Sequence, residues 1–360
     1  MGSPIEFVYG NCVFARGLDD TWAAFAVQLT SYAWLGEEDK RARLLALIGA
    51  LEALEADIQI LRVGSRWEPH GYERALREPR EPASADAAPH ARARERYIAE
   101  HVERLRDLGA VQPAMFLLVS LREPERDVAS YISRAAAQHP RQWWDSIRRA
   151  FALGERRVFR APQLESARVR SDQIHARLAD FLPVRPARGV ELQWLVRRAF
   201  CRGLGEPQID GLHEPRALAF ECNGEAVLAP LEGDVMRWSD GYVEHRGRSL
   251  KVESELGTSW QAQLVIGALP ERVQFPGAHA ELMFAAPESL PFGIDLSLNA
   301  RFLPNELALR IARRRIQDAD QIVRAESSGE QGVSDLGFER TQEARDLLGY
   351  LQASSRPPLL

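Results

Sequence analysis

The stretch "PAMFLLVSL", Pro113 to Leu121, decides the reading of the first half of the chain. Apolar runs of this length mark a strand buried on both faces, so a sheet with helices packed against it is expected around it. Immediately upstream, "YIAEHVERLRDLG" reads as a helix stopped at Gly109. Further out, "DIQILRV" is a second β-rich run. It comes after a helix in which Leu44, Leu47, Ile48, Leu51 and Leu54 recur at spacings of three and four behind Glu37, Glu38 and Asp39. At the start, "EFVYGNCVFA" and "TWAAFAVQL" are strand-like runs separated by the turn residues of "RGLDD". The chain therefore opens on a hairpin and reads β-β-α-β up to "DIQILRV".

The stretch "REPREPASADAAPHARARER", 77–96, is dense in proline, alanine and charge and has no apolar period, so a flexible linker or exposed loop is expected there. Helical patterns beyond Leu121 carry the chain to about residue 205, completing an α/β lobe over 1–205. From "ALAFECNGEAVLAP" onward the apolar period becomes two, which predicts a β-rich lobe over 206–303. Asp240-Gly241 within it, between alternating runs, is a hairpin signal. Residues 304–360 read as a long helix starting after Pro304, with Asn305 as its N-cap, then a loop and a C-terminal helix. The expected fold class is α+β, with mixed sheets and packed helices.

Composition bounds the function. The 360 residues are 45% hydrophobic and 27% charged, enough to bury a substantial core, and the formal net charge is -5. An acidic balance argues against nucleic-acid binding through overall basicity. Lys40 and Lys251 are the only lysines among 46 basic residues, an arginine bias that points to a GC-rich bacterial genome. The three cysteines, Cys12, Cys201 and Cys222, are scattered and read as reduced and structural. No apolar run approaches the roughly 20 residues of a membrane-spanning helix.

Catalytic motifs are missing from the sequence. A phosphate-cradling P-loop needs a lysine followed by serine or threonine, whereas Lys40 precedes Arg41 and Lys251 precedes Val252. There is no G-x-G-x-x-G, H-E-x-x-H or G-x-S-x-G, so catalytic, cofactor and metal residues are all expected to be none. Trp143 and Trp144 with Arg148 and Arg149 one turn on form an aromatic-plus-basic pattern with two readings. Trp144, Ile147 and Phe151 share a face and suit a core with a wet arginine edge, whereas the Trp and Arg content suits a partner contact. In "RFLPNELALRIARRRIQDADQIVRAESSGE", 301–330, a seam of Leu309, Ala312, Ile316, Ala319 and Val323 leaves Arg313, Arg314 and Arg315 beside or opposite it. Asp318 and Asp320 lie close enough to pair with them, so a solvated or interface-lining face is expected rather than a nucleic-acid contact. The seam is expected to pack on the β-rich lobe before it.

The run "GTSWQAQLVIGALPERVQFPGAHAELMFAAPESLPFGIDLSLNARFLPNELALRIARRRIQDADQ", together with "YGNCVFARG…TWAAFAV", "LLALIGALEAL…IQILRV" and "MFLLVSLREP", resembles the conjugation-type traffic ATPases of type IV secretion systems in their actinobacterial versions. The resemblance implies an N-terminal region preceding a RecA-like motor. Such a region would dock that motor on inner-membrane secretion-system proteins, assemble into oligomers, and lie in the cytoplasm at the inner face of the membrane. ATP and magnesium would belong to the motor, and no catalytic residue carries over because the sequence reaches "YLQASSRPPLL" without a Walker motif. The region would be either cut at the domain boundary or a motorless relative. Two other classes stay open: a stand-alone enzyme with a site assembled from distant residues, and a nucleic-acid-binding adaptor.

Overall fold

A computed structural model describes residues 5, 7–14, 20–29, 35–66, 70–77, 88–107, 111–122, 159–202, 204, 217–222, 225–230, 241–254, 256–266, 275–277, 294–303, 305–327, 342, 345, 346, 348, 349 and 352. The fold is α+β, and every strand pair among the described residues is antiparallel.

The main sheet is built on β5 (Val111–Ser120), the strand that contains most of the apolar run 113–121. It lies between β3 (Thr21–Val27) and β4 (Ile58–Arg66). The chain passes from β3 through α1 (Glu37–Leu54) to β4 and leaves the place that β5 later fills. Alternation then sends Leu117 and Val119 to one face and Phe116 to the other, so a single strand feeds two cores. The first core is closed by Ala50 and Leu54 of α1 and by Leu164, Ala167 and Leu178 of α4 (Ala161–Ala179). The second is closed by Leu192 and Trp194 of α5 (Gly189–Arg198).

The opening hairpin is shorter than the sequence predicts. "EFVYGNCVFA" is two strands, β1 (Phe7–Tyr9) and β2 (Cys12–Phe14), reversed at Gly10 and Asn11. Gly10 sits at φ 59°, a left-handed conformation that glycine alone adopts without a Cβ penalty. β2 pairs with the first half of β3's outer edge, and β7 (Val184–Pro186) pairs with the second half.

The segment expected as a loop over 77–96 is helical at both ends. α2 (His70–Arg77) contributes Arg77, and α3 (Ala88–Asp107) starts well before Arg96. Alanines have the highest helix propensity, and Pro89 falls in the first turn, where a missing N–H costs nothing. α2 and α3 are tied by the Arg94 guanidinium on the Leu76 carbonyl and by Arg77 with Glu95 at 3.6 Å, and within α3 Tyr97 stacks on His101. Residues 78–87 lie outside the described residues.

The stretch 206–303 does not form one separate sheet. β6 (Phe159–Arg160) pairs with β9 (Glu225–Pro230), which pairs with β8 (Ala217–Cys222). β10 (Tyr242–Arg246), β11 (Ser249–Ser254) and β12 (Gly257–Gln261) form a meander. β13 (Leu296–Ala300) returns to the main sheet and pairs with β4. β10 and β11 are joined by a turn at Gly247 and Arg248, where Gly247 has φ 62°; the turn expected at Asp240-Gly241 involves residues 231–240, which lie outside the described residues.

α6 (Asn305–Ser327) buries Ala308, Ala312 and Ala319. Its cluster includes Leu303 and the later Leu348, and Arg345 lies 3.5 Å from Asp320. The described partners of the seam are therefore Leu303, at the end of the stretch 206–303 on which packing was expected, and the later Leu348, with Arg345 beside Asp320. Leu309 and Ile316 are half-buried, and the side chain of Val323 lies outside the described residues. Small alanines let the later segment approach, which explains why the deepest positions of the seam are not its largest side chains.

Candidate interaction surfaces

α1 carries apolar residues on two sides. Leu47, Ala50, Leu51 and Leu54 keep helical spacing; Ala50 and Leu54 are buried, and Leu51 packs on the first core. Leu45, Ile48, Gly49 and Glu52 keep the same spacing on another stripe. Leu45 is 68% exposed and Ile48 42% exposed, and a Cβ on Gly49 would lie 3.0 Å from Cε1 of Phe181, which is itself exposed. Glycine at that position lets the Phe181 ring lie against the helix and extends the stripe sideways. From Leu44 to Leu54 the helix is apolar on both sides, so this stripe leaves large apolar side chains exposed. Glu37, Glu38 and Asp39 stand at the N-terminal end of the helix.

The meander presents a second surface. One face rests on Ala199 and Phe200, just past the end of α5: Val252 and Ser259 are buried, Gln261 Nε2 donates to the Ala199 carbonyl at 2.7 Å, and Gly241 passes under the Phe200 ring. The other face is open, with Tyr242 and Trp260 exposed on either side of the Lys251–Glu253 ion pair. Among the described residues β12 has no strand on its far side, and beyond it Leu264 and Val265 are 89% and 85% exposed.

Polar networks fix the elements that carry these surfaces. Asp295, just before β13, accepts from Arg198 and Arg202 and takes the Gly64 N–H at 3.3 Å, while Arg198 Nη2 donates to the Gly64 carbonyl. The β13 ladder stops at the Leu296–Arg62 pair, so this clamp caps the β4 backbone just past the ladder's end. The Arg198 guanidinium also lies 5.0 Å from the Trp194 ring. At the start of α5, Glu191 accepts two hydrogen bonds from Arg185, at 2.8 and 2.5 Å, and one from the Arg188 N–H at 2.8 Å. Burial alone would raise the Glu191 pKa, but these hydrogen bonds and the Arg185 and Arg188 charges outweigh it and hold the carboxyl below its ordinary 4.5.

A carboxyl with a lowered folded pKa contributes stability that is complete above its unfolded pKa and is lost as pH falls through the folded value. Urea unfolding of wild type should therefore weaken as pH drops below 4.5. Glu191→Gln should be less stable at neutral pH and lose less on acidification. A variant whose pH profile overlays that of wild type would refute this role.

Between β2 and α4, Asn11 Nδ2 donates to the Ala24 carbonyl at 3.1 Å and to Ser171 Oγ at 2.9 Å, and the Ser171 hydroxyl donates to Asn11 Oδ1 at 3.1 Å. Beside them the Cys12 thiol is pushed up to about 12, chiefly by burial, with the Ser171 hydrogen bond opposing and the Asp172 charge adding. A thiol held protonated is no nucleophile at neutral pH. Cys12 and Cys201 are both buried and in no disulfide, consistent with structural cysteines.

Of the residues singled out from sequence, Arg313 and Arg314 are exposed on α6 together with Arg310 and Arg315. Trp143, Trp144, Arg148 and Arg149 lie outside the described residues. The outward stripe of α1 and the exposed run after β12 were not anticipated from the sequence. The signals were present: only Glu52 is polar in "LLALIGALEAL", and no charged residue occurs in "GTSWQAQLVI".

Among the described residues no helix is long and apolar enough to cross a membrane, and no group of three or more His, Cys, Asp or Glu could hold a metal ion. No protein-family model matches the chain, and no curated protein matches it.

Proposed function

We propose that this chain is the non-catalytic N-terminal docking region of a conjugation-type secretion ATPase, and that it engages a membrane-embedded partner through the outward stripe of α1. The observation that carries this reading is the exposure of Leu45 and Ile48 on a helix whose opposite side already serves the core. Exposed contiguous apolar side chains are the usual mark of a protein contact. The segment "LLALIGALEAL…IQILRV" within which they fall is one of those that resemble the secretion ATPases. ATP hydrolysis would fall to the motor of that assembly, and this region's part is to hold the motor at the membrane and to help arrange it into oligomers.

The test is flotation with inner-membrane vesicles that contain the secretion-system membrane proteins, run beside protein-free liposomes of the same lipids. Flotation with the first alone, abolished by Leu45→Glu together with Ile48→Glu, is the expected result. Failure to float with the partner-bearing vesicles, or micromolar ATP binding by this chain in calorimetry, would overturn the reading.

A further inference from the structure

The open face of the meander carries an inference about a different contact. Directly paired residues share a face, so Tyr242, Glu253 and Thr258 form one row across the three strands and Glu244, Lys251 and Trp260 the next. The opposite face is the one that buries Val252 and Ser259. Tyr242 and Trp260 are each 62% exposed and stand at opposite corners of this patch. Two strand spacings of about 4.8 Å and one two-residue step of about 6.7 Å put their Cα atoms about 12 Å apart. The charges beside them are matched within the sheet: Lys251 pairs with Glu253, and Arg246 with Glu244 at 2.9 Å. Among the described residues the indole N–H of Trp260 and the hydroxyl of Tyr242 make no hydrogen bond within the chain. The patch therefore offers two flat apolar rings, a hydrogen-bond donor on each, and no net charge.

We infer that this face binds an uncharged, proline-rich segment of a partner protein in the polyproline II conformation. A backbone laid across the face of a sheet cannot join its ladder, whose N–H and C=O groups point along the sheet, so an ordinary peptide would leave its own N–H groups desolvated there. Proline has no N–H and keeps its carbonyl. A proline-rich segment thus brings acceptors alone, which suit the donors on Trp260 and Tyr242. Its helix completes a turn in about 9 Å, so rings rooted about 12 Å apart reach pyrrolidine rings on successive turns. Such a segment is already extended before it binds, so little chain entropy is lost on the open face. The ion pairs decide against a nucleic acid: Lys251 and Arg246 are matched by carboxylates, which leaves no surplus cation in the patch for a phosphate backbone. The opposite face, anchored by Val252, Ser259 and the Gln261–Ala199 hydrogen bond, holds the two rings in place beforehand.

This contact uses other residues than the outward stripe of α1, so the two can fail independently. The experiment is calorimetric titration of the whole chain with an end-capped decaproline peptide, beside a glycine-serine peptide of equal length, an uncharged β-glucan oligosaccharide and single-stranded oligothymidylate. Saturable binding of decaproline alone is expected. Trp260→Ala and Tyr242→Ala should each weaken it by about tenfold or more, as truncation of an aromatic anchor does. Tyr242→Phe and Trp260→Phe, which keep a ring and remove the donor, should weaken it less. Both side chains are exposed, so unchanged thermal melts are expected. The proposal is overturned, with the flotation result untouched, by no binding of decaproline, by equal binding of the glycine-serine peptide, or by binding that both alanine variants retain. Saturable binding of the oligosaccharide or the oligothymidylate in place of decaproline also overturns it. Should the alanine variants fold poorly, the two phenylalanine variants decide, and undiminished affinity in both refutes the inference.

Discussion

Phe25→Ala is expected to lower unfolding stability by about 3–5 kcal/mol, the range for removing a buried aromatic ring. Phe25 has no exposed surface and sits in the middle of β3, opposite Leu117 on one side and Pro186 on the other. Its ring stacks on His175 of α4 with centroids 6.0 Å apart, and His175 Nε2 lies 3.1 Å from the Val184 carbonyl of β7. One side chain thus joins β3 to α4, and the histidine it supports joins α4 to β7. Truncation leaves a cavity between layers that the hydrogen-bonded sheet cannot collapse to fill, so the loss should fall in the upper part of the range. Phe25→Leu, which retains much of the volume, should recover a good part of it. Urea unfolding of the two variants at neutral pH is the measurement, and an alanine variant within about 1 kcal/mol of wild type would show that this core is not the one that sets stability.

The second large effect is expected at Asp295. Replacing it with alanine removes the carboxylate that Arg198 and Arg202 share and leaves Arg198, only 5% exposed at its side chain, without that counter-charge. Breaking a buried pair from one side costs about 3–5 kcal/mol, mostly as the penalty for the charge left behind. Asp295 is 25% exposed, so water can reach the gap, and a loss of about 3 kcal/mol is the reasonable figure. The effect has a signature. The Gly64 N–H loses its acceptor as well, so its hydrogen exchange should quicken together with that of the β13 amides, while amides of β2 and β3 stay protected. Uniform quickening across the sheet would mean that the clamp supports global stability and not the β13 attachment.

Sequence patterns with a local cause were legible, and those set by distant contacts were not. The run 113–121 announced a doubly covered strand because burial on both faces removes the polar alternation, and β5 feeds both cores as that pattern requires. Gly10-Asn11 is also a turn signal, but it was absorbed into a single strand because apolar residues flank it on both sides. The register Cys222 to Glu225 leaves two residues between β8 and β9, and the sequence there, Asn223-Gly224, is a hairpin signal. The return of β13 to β4 could not be read at all, since a strand's period says which residues share a face and nothing about which strand lies beside it. The outward stripe of α1 was hidden for a related reason: with apolar residues on every side, the 3–4 spacing fits more than one face, and only the packed structure says which is covered.

The pairing of β13 with β4 also sets a timetable for synthesis. Gln59 Nε2 donates to Ser297 Oγ across 238 residues of chain, and at about 5–20 residues per second a ribosome needs roughly 12–48 s to travel that distance. Throughout that interval β4 waits with its outer edge lacking its final neighbour, and for most of it β1 to β5 have all been made. Hydrophobic collapse and hairpin formation are complete within microseconds, so the early strands have ample time to find one another and also to find the wrong partner. A holding chaperone, or slow translation beyond residue 120, would act on a species that is five strands of a sheet waiting for β7 and, last, β13.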